Sequence, residues 1–250
     1  LLEPHSLDGW KIVVDTANGA TTATTPAVLE SAGGELVRLG MEPDGLNINR
    51  DCGSERPAAM ARAVLQHEAN LGLAHDGDGD RLVVCDETGS VLDGDEILAM
   101  LGQALIREGR LKQKTLVATI MSNLGLDEAI GRAGGAVRRV SVGDRWVLQE
   151  MLREGFSFGG ESSGHFVFLD EGTTGDGLLA AIEILHHLRA VRKPLSEARK
   201  VMRFFPQEKR NYEVAEKIPF EDLPLLQRAV KEIEHRLGNK GRLLLRYSGT

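Results

Sequence analysis

Cysteine is nearly missing from this 250-residue chain. Cys52 and Cys85 stand apart, with no second cysteine or histidine at metal-ligand spacing; this excludes a disulfide scaffold and fits a reducing, cytoplasmic setting. No apolar run approaches the ~20 residues needed to span a bilayer, and there is no signal-peptide pattern, so no membrane association is expected. Positive charge is also short. The net charge of −7 argues against a nucleic-acid partner and leaves no polybasic patch for a lipid surface. An anionic ligand would have to be held by local Arg, Lys, metal or backbone N–H groups. The chain lacks an initial methionine and stops at Thr250 directly after a Ser-Gly pair, so both ends read as cut and a fragment is expected.

What is present is ordinary for a soluble globular protein: 42% hydrophobic and 27% charged residues, in a length that suits one large or two ordinary domains. Short apolar strands alternate with amphipathic helices, the α/β pattern. Strands are predicted at 10–15, 35–39, 115–119 and 137–142, with helices near 26–31, 56–69, 96–107, 126–132 and 177–191. Two of these helices end in the same triplet, Ala32-Gly33-Gly34 and Ala133-Gly134-Gly135, whose glycines suit helix C-caps. Two strand–loop–helix–Gly-Gly–strand units about a hundred residues apart suggest a duplicated domain, although unrelated α/β units also look alike. The fold expected is α/β: two tandem duplicated α/β domains with mixed sheets between helices, plus the start of a third, C-terminal α+β domain. Boundaries are set at 1–95, 96–204 and 205–250. The third piece carries predicted strands at 211–214 and 242–247 around a helix at 225–237, after a linker at 204–210.

The most informative segment is Asp76-Gly-Asp78-Gly-Asp80-Arg81, between two apolar strand-like runs. Like charges this close repel unless a cation sits among them, and the interleaved glycines let the three side chains converge. Hard oxygen donors select Mg²⁺ or Ca²⁺. Glu87 falls at the twelfth position of a calcium loop starting at Asp76, but Arg81 occupies the sixth, where that loop needs glycine, and the flanks are not helical. A solvated acidic turn is the remaining alternative. Three carboxylates leave room in a Mg²⁺ octahedron for a phosphate oxygen, which points to phosphoryl transfer with Arg81 beside the ion.

Asp-Gly-Asp-Gly-Asp-Arg on a strand–loop–strand resembles the metal loop of the α-D-phosphohexomutases, and the likeness runs from about Leu7 to Thr250. Pro43-Asp44-Gly45-Leu46-Asn47-Ile48-Asn49 and Thr173-Thr174-Gly175-Asp176-Gly177 look most like the branch acting on glucosamine phosphate rather than those acting on mannose or glucose phosphate. Gly159-Gly160-Glu161-Ser162-Ser163-Gly164-His165 alone could be a polar hairpin turn. It matches the family's sugar-binding loop, which implies substrate contacts from Glu161, Ser163 and His165; the family usually has Gln, Asn or Met where Ser162 stands. Ser141-Val-Gly143-Asp144-Arg145 reads by itself as a loop entering a helix, with Asp144 as N-cap. The resemblance makes Arg145 a substrate contact. Arg246-Tyr247-Ser248-Gly249-Thr250 is similar to the start of the family's C-terminal phosphate loop, with an Arg fork, hydroxyls and backbone N–H groups. Ser122 and Asn123 fall at a strand's carboxyl end, the edge where open α/β sheets bind ligands.

The resemblance implies a mutase using one Mg²⁺ on Asp76, Asp78 and Asp80, with a glucose or glucosamine 1,6-bisphosphate as priming intermediate. It would convert glucosamine 6-phosphate, a hexosamine phosphate, into the 1-phosphate through a phosphoserine, feeding UDP-N-acetylglucosamine and cell-wall synthesis. The phosphoserine belongs to an N-terminal domain with no counterpart in these residues, so the segment alone is expected to be catalytically silent. A homodimer is compatible with the family. The other readings are a phosphomannomutase or phosphoglucomutase, or a silent metal- and sugar-phosphate-binding module.

Overall fold

The computed structural model describes residues 2–238 and 241–247. The chain divides into two compact units, Leu1–Arg203 and Phe204–Thr250.

The first unit holds two four-stranded sheets of the same topology. In the first, β1 (Lys11–Asp15) lies between β2 (Glu35–Leu39) and β3 (Leu71–His75), parallel to both, and β4 (Leu82–Asp86) closes the edge antiparallel to β3. The second repeats that order with β5 (Thr115–Thr119), β6 (Ala136–Val140), β7 (Phe158–Gly160) and β8 (Phe166–Phe168) in the roles of β1 to β4. Helices α1 (Thr24–Ser31) and α4 (Leu124–Arg132) follow the first strand of each repeat, and α2 (Ala58–Gln66) and α5 (Asp144–Glu154) follow the second. The duplication extends to single residues. Gly33 and Gly134 turn the chain after α1 and α4 at φ of +94° and +80°, the left-handed region open to glycine. Where α2 and α5 cross the third strands, the passage requires Gly72 and Gly159: a Cβ there would stand 2.6 Å from Met60 Cγ or 2.9 Å from Met151 Sδ.

Central strands buried on both faces read as unbroken apolar runs, which is why β1, β3 and β5 were legible. Alternate residues serve different layers. Val13 and Ala74 face α2 through Met60 and Val64, and Val117 faces α5 through Val147 and Met151. Ile12, Val14, Leu71, Leu73, Leu116, Ala118 and Phe158 join a single core with α3 (Gly94–Arg107) and α6 (Gly177–Val191). These two helices pack against each other, and each leans on the opposite repeat: α3 follows the first sheet but meets β7, while α6 follows the second sheet but meets β4. Neither repeat closes its core alone.

A short α7 (Leu195–Ala198) follows, and Arg199 ties it back. Its guanidinium donates to Glu96 Oε1 at 2.8 Å and to Asp86 Oδ2 at 2.8 Å. Burial alone would raise the Asp86 pKa, but hydrogen bonds from Thr88, Arg199 and Ser90 outweigh it and hold the carboxyl below its usual range.

The second unit corrects the sequence reading. Helix α8 (Pro224–Leu237) forms as expected, but the strands predicted at 211–214 and 242–247 do not; among the described residues of this unit there is no strand. A strand is made by its partner, and these apolar runs meet no ladder, with Tyr212, Val214, Leu244 and Leu245 exposed. Among the described residues no helix is long and apolar enough to cross a membrane.

Candidate active site

Two hairpin turns occupy equivalent places in the two sheets: residues 76–81 between β3 and β4, and 161–165 between β7 and β8. They meet. Arg81 and His165 form an isolated antiparallel bridge, and Leu82 N donates to Gly164 O at 3.0 Å. The acidic turn is held from two further sides, by Ala20 N donating to Gly77 O at 2.8 Å and by Gly177 N, at the start of α6, donating to Gly79 O at 2.9 Å.

Asp76, Asp78 and Asp80 each present a carboxylate oxygen within 4.8 Å of the others. Asp76 is buried, Asp80 half-buried and Asp78 exposed, so the cluster opens to one side. Arg81 Nε lies 3.1 Å from Asp76 Oδ2 and 3.9 Å from Asp80 Oδ1, and Arg81 Nη1 lies 3.7 Å from Glu55. Asp80 Oδ1 is buried and accepts no hydrogen bond, an expensive position for a carboxylate oxygen unless a cation satisfies it. Three hard oxygens and that orphaned atom fit a divalent ion such as Mg²⁺. Glu87, the would-be calcium ligand, is instead engaged by the Ser196 hydroxyl and backbone N.

His75, fully buried before Asp76, fixes the hairpin's base. Its Nδ1 is 3.3 Å from Arg81 O and its Nε2 is 3.1 Å from Thr25 Oγ1. A carbonyl only accepts, so Nδ1 carries the proton and Nε2 accepts from the threonine. Burial lowers its pKa, keeping the ring neutral.

His165 bridges the hairpins. Its Nε2 donates to Asp80 Oδ2 at 2.8 Å, and its Nδ1 lies 4.0 Å from Glu161 Oε2. The other Glu161 oxygen, Oε1, accepts from Gly143 N at 3.0 Å, so the Ser141–Arg145 loop holds this carboxylate in place. Asp144 is not the N-cap expected from sequence: the cap position falls on Gly143, and Asp144 is the first helical residue of α5, where its charge suits the helix dipole. Arg145 is exposed, its Cζ 4.6 Å above the Trp146 ring, and Ser163 is exposed at the hairpin tip. Arg246 is exposed in the second unit, while Ser248, Gly249 and Thr250 lie outside the described residues. Ser122 and Asn123 are buried, and Asn123 caps α4 by accepting from Gly125 N at 2.9 Å.

Sequence reasoning missed Glu55, the Gly143 N–H and the docking of Gly177, which come from distant segments with no local signature. It also missed Asp95. This carboxyl is 2% exposed, and its Oδ2 accepts from Asn123 N at 2.6 Å. Burial, added to by Asp93 and opposed by Asn123, Ser122 and Arg139, pushes its pKa up to about 6. Such a carboxyl binds more protons folded than unfolded, so it lowers stability progressively as pH rises from about 4, the unfolded value, to about 6. Asp95→Asn is therefore expected to gain about 2–3 kcal/mol at pH 8 and little at pH 4, read as denaturant midpoints. Equal effects at both pH values would refute the assignment.

The chain matches two family models in sequence order. The α/β/α domain II of phosphoglucomutase/phosphomannomutase covers residues 2–89 and domain III covers residues 93–204. The chain belongs to this family, the phosphohexomutases. It is 50% identical over 249 residues to the phosphoglucosamine mutase of Citrifermentans bemidjiense, covering 99% of this chain and 55% of that protein. The enzyme of the same name from Myxococcus xanthus is 49% identical over 245 residues, 98% of this chain and 54% of that one. The chain thus spans about half the length of the curated relatives it matches. Among solved structures, a phosphoglucomutase/phosphomannomutase family protein from Burkholderia thailandensis superposes with a TM-score of 0.70 at 25% identity, over 77% of this chain and 42% of that one. Aspergillus fumigatus N-acetylphosphoglucosamine mutase, in complex with GlcNAc-6P and magnesium, shares the fold with a TM-score of 0.74 at 20% identity, over 96% of this chain and 60% of that one.

Proposed function

We propose that this chain is the metal- and sugar-binding core of a phosphoglucosamine mutase, interconverting glucosamine 6-phosphate and glucosamine 1-phosphate. The observation that carries the reading is the main-chain pairing of the Asp76–Arg81 hairpin with the Glu161–His165 hairpin, which sets a three-carboxylate site beside a sugar-type carboxylate. Identity near 50% to phosphoglucosamine mutases favours glucosamine over mannose or glucose as the sugar.

In this reading Asp76, Asp78 and Asp80 hold Mg²⁺, and the cradle is consistent with the orphaned Asp80 oxygen. The bound ion supplies neutralising charge during phosphoryl transfer. Arg81 holds a phosphate oxygen. Glu161, turned by Gly143 N–H, and Ser163 bind sugar hydroxyls, while His165 orients Asp80 and links the two sites. Arg145 reaches the substrate from α5. Arg246, Ser248, Gly249 and Thr250 hold the phosphate that is not reacting. The last roles, a phosphoserine on another domain, a 1,6-bisphosphate intermediate and a homodimer rest on the family resemblance; the division at 1–95, 96–204 and 205–250 rests on the element pattern and the linker, and cytoplasmic residence on the scarcity of cysteine.

The test is turnover in a protein carrying this segment together with a phosphoserine domain. Activity on glucosamine 6-phosphate should exceed that on mannose or glucose 6-phosphate. Glu161→Ala should lower kcat/KM by about 10- to 100-fold, the worth of hydrogen bonds to a charged group, with Mg²⁺ affinity unchanged. Wild-type kinetics in that variant, or a preference for mannose phosphate, would overturn the reading. The segment alone should give no turnover even with Mg²⁺ and glucose 1,6-bisphosphate, because in this reading the hairpin carboxylates hold the ion, Ser163 binds the sugar, and the serine that exchanges the phosphoryl lies on another domain.

A further inference from the structure

A cleft of about 550 Å³ opens where the chain enters β1 and β3, lined by Trp10 and Asn70 on one side and by the end of α6 on the other. The metal hairpin leaves β3 at its opposite end, so the cleft and the active site are separated by the length of that strand. Its volume falls in the range of small-molecule sites, roughly 300–1,000 Å³.

The charge of its wall is unusual for this protein. Arg189 in the last turn of α6, with Arg192 and Lys193 just beyond it, lines the cleft. The side chains of the three make no hydrogen bond or close ion pair among the described residues, whereas Arg110, Arg139 and Arg199 are each anchored to a carboxylate. Arg192 spends only its main-chain N–H, on Leu188 O at 2.9 Å, and Glu197, held below its usual range first by Lys200, also feels Lys193 from a distance. Cations in a last helical turn complement the helix dipole, which accounts for Arg189. It does not account for Arg192 and Lys193, which lie past the helix. Arg192 also takes a left-handed backbone, φ +53°, at a position where glycine is the usual choice. The one carboxylate in the wall, Glu87, accepts from Ser196 and keeps its charge, so the lining sets three cations against one anion. Asn70 gives its oxygen to Lys11 N at 2.8 Å and keeps its amide N–H groups to donate. In a chain of net charge −7, a surplus of cations around a concave site concentrates anions locally.

We propose that this cleft is a second ligand site, for a small organic phosphate of mononucleotide or sugar-phosphate size. The arginines offer planar forks that match phosphate oxygens, Lys193 adds a point charge, and the Trp10 indole gives a face for the ring of the ligand. Binding there needs neither the acidic hairpin nor Mg²⁺.

The chain has two tryptophans, so Trp146→Phe leaves Trp10 as the single indole reporter. Its emission is to be titrated, without Mg²⁺, with uridine 5′-monophosphate, glucose 6-phosphate and inorganic phosphate. A saturable change with a sub-millimolar Kd for either organic phosphate supports the site, and the better of the two identifies the ring. Adding Arg192→Glu and Lys193→Glu, at exposed positions, should weaken that Kd by at least about tenfold while the melting temperature stays in place. Adding Asp78→Asn should leave it unchanged, which separates this site from the catalytic one. No saturable change with any ligand up to about 10 mM, saturation by inorganic phosphate alone, or binding that survives the double charge reversal would each overturn the proposal.

Discussion

Asp78→Asn is expected to weaken Mg²⁺ binding to this chain by at least about tenfold, or ~1.4 kcal/mol, in titration calorimetry. Asp78 is the exposed member of the cluster, so the substitution removes a ligand charge without disturbing the core. In the absence of Mg²⁺ the variant should be at least as stable as the parent, since one of three mutually repelling carboxylates is gone. Asp76→Asn should weaken the ion as much but also loosen the hairpin, because Asp76 Oδ1 accepts from Arg81 N at 3.2 Å. In a protein that also carries the phosphoserine domain, either change should abolish turnover. Unaltered Mg²⁺ affinity in Asp78→Asn would remove the cluster from consideration as the metal site. High-affinity Ca²⁺ binding that engages Glu87 would point to the calcium loop instead.

Arg199→Met should cost about 3–5 kcal/mol of unfolding free energy, the penalty for stripping the partner from buried charge. Asp86 is 1% and Glu96 7% exposed, and Arg199 is the cation that both face. Methionine keeps most of the side-chain volume, so the loss reports charge more than packing. Restoring neutrality by adding Asp86→Asn and Glu96→Gln should recover most of the stability, since the isolated charges and not the missing bridge carry the cost. Chemical denaturation of the single and triple variants decides it. A loss under about 1 kcal/mol in Arg199→Met would mean that the network behaves like a surface ion pair.

Legibility followed burial and locality. The strands at 35–39 and 115–119 and the helix at 177–191 form with the bounds expected, because apolar runs and Gly or Pro punctuation are local signals. The repeated Ala-Gly-Gly announced a duplication that the sheet orders bear out strand by strand. The strands at 211–214 and 242–247 misled because their apolar residues meet no partner strand. At the site, the three carboxylates declared themselves through mutual repulsion and interleaved glycines. Gly143 could not, since what it contributes is a main-chain N–H, 18 residues from the carboxylate it holds. Asp144 looked like a cap for the right chemical reason and lost that place to the residue before it, whose φ of +124° is open to glycine.

The two hairpins that meet at Arg81 and His165 hold the same position in their respective repeats. The two sides nevertheless carry unlike chemistries, three carboxylates on one and a glycine-rich turn with Glu161, Ser163 and His165 on the other. Each hairpin is therefore part of the other's mould. A chimera that imports one turn from a relative inherits a foreign partner across the Leu82–Gly164 hydrogen bond and the His165–Asp80 contact. Grafting from a relative therefore keeps these contacts only when both turns move as a matched pair.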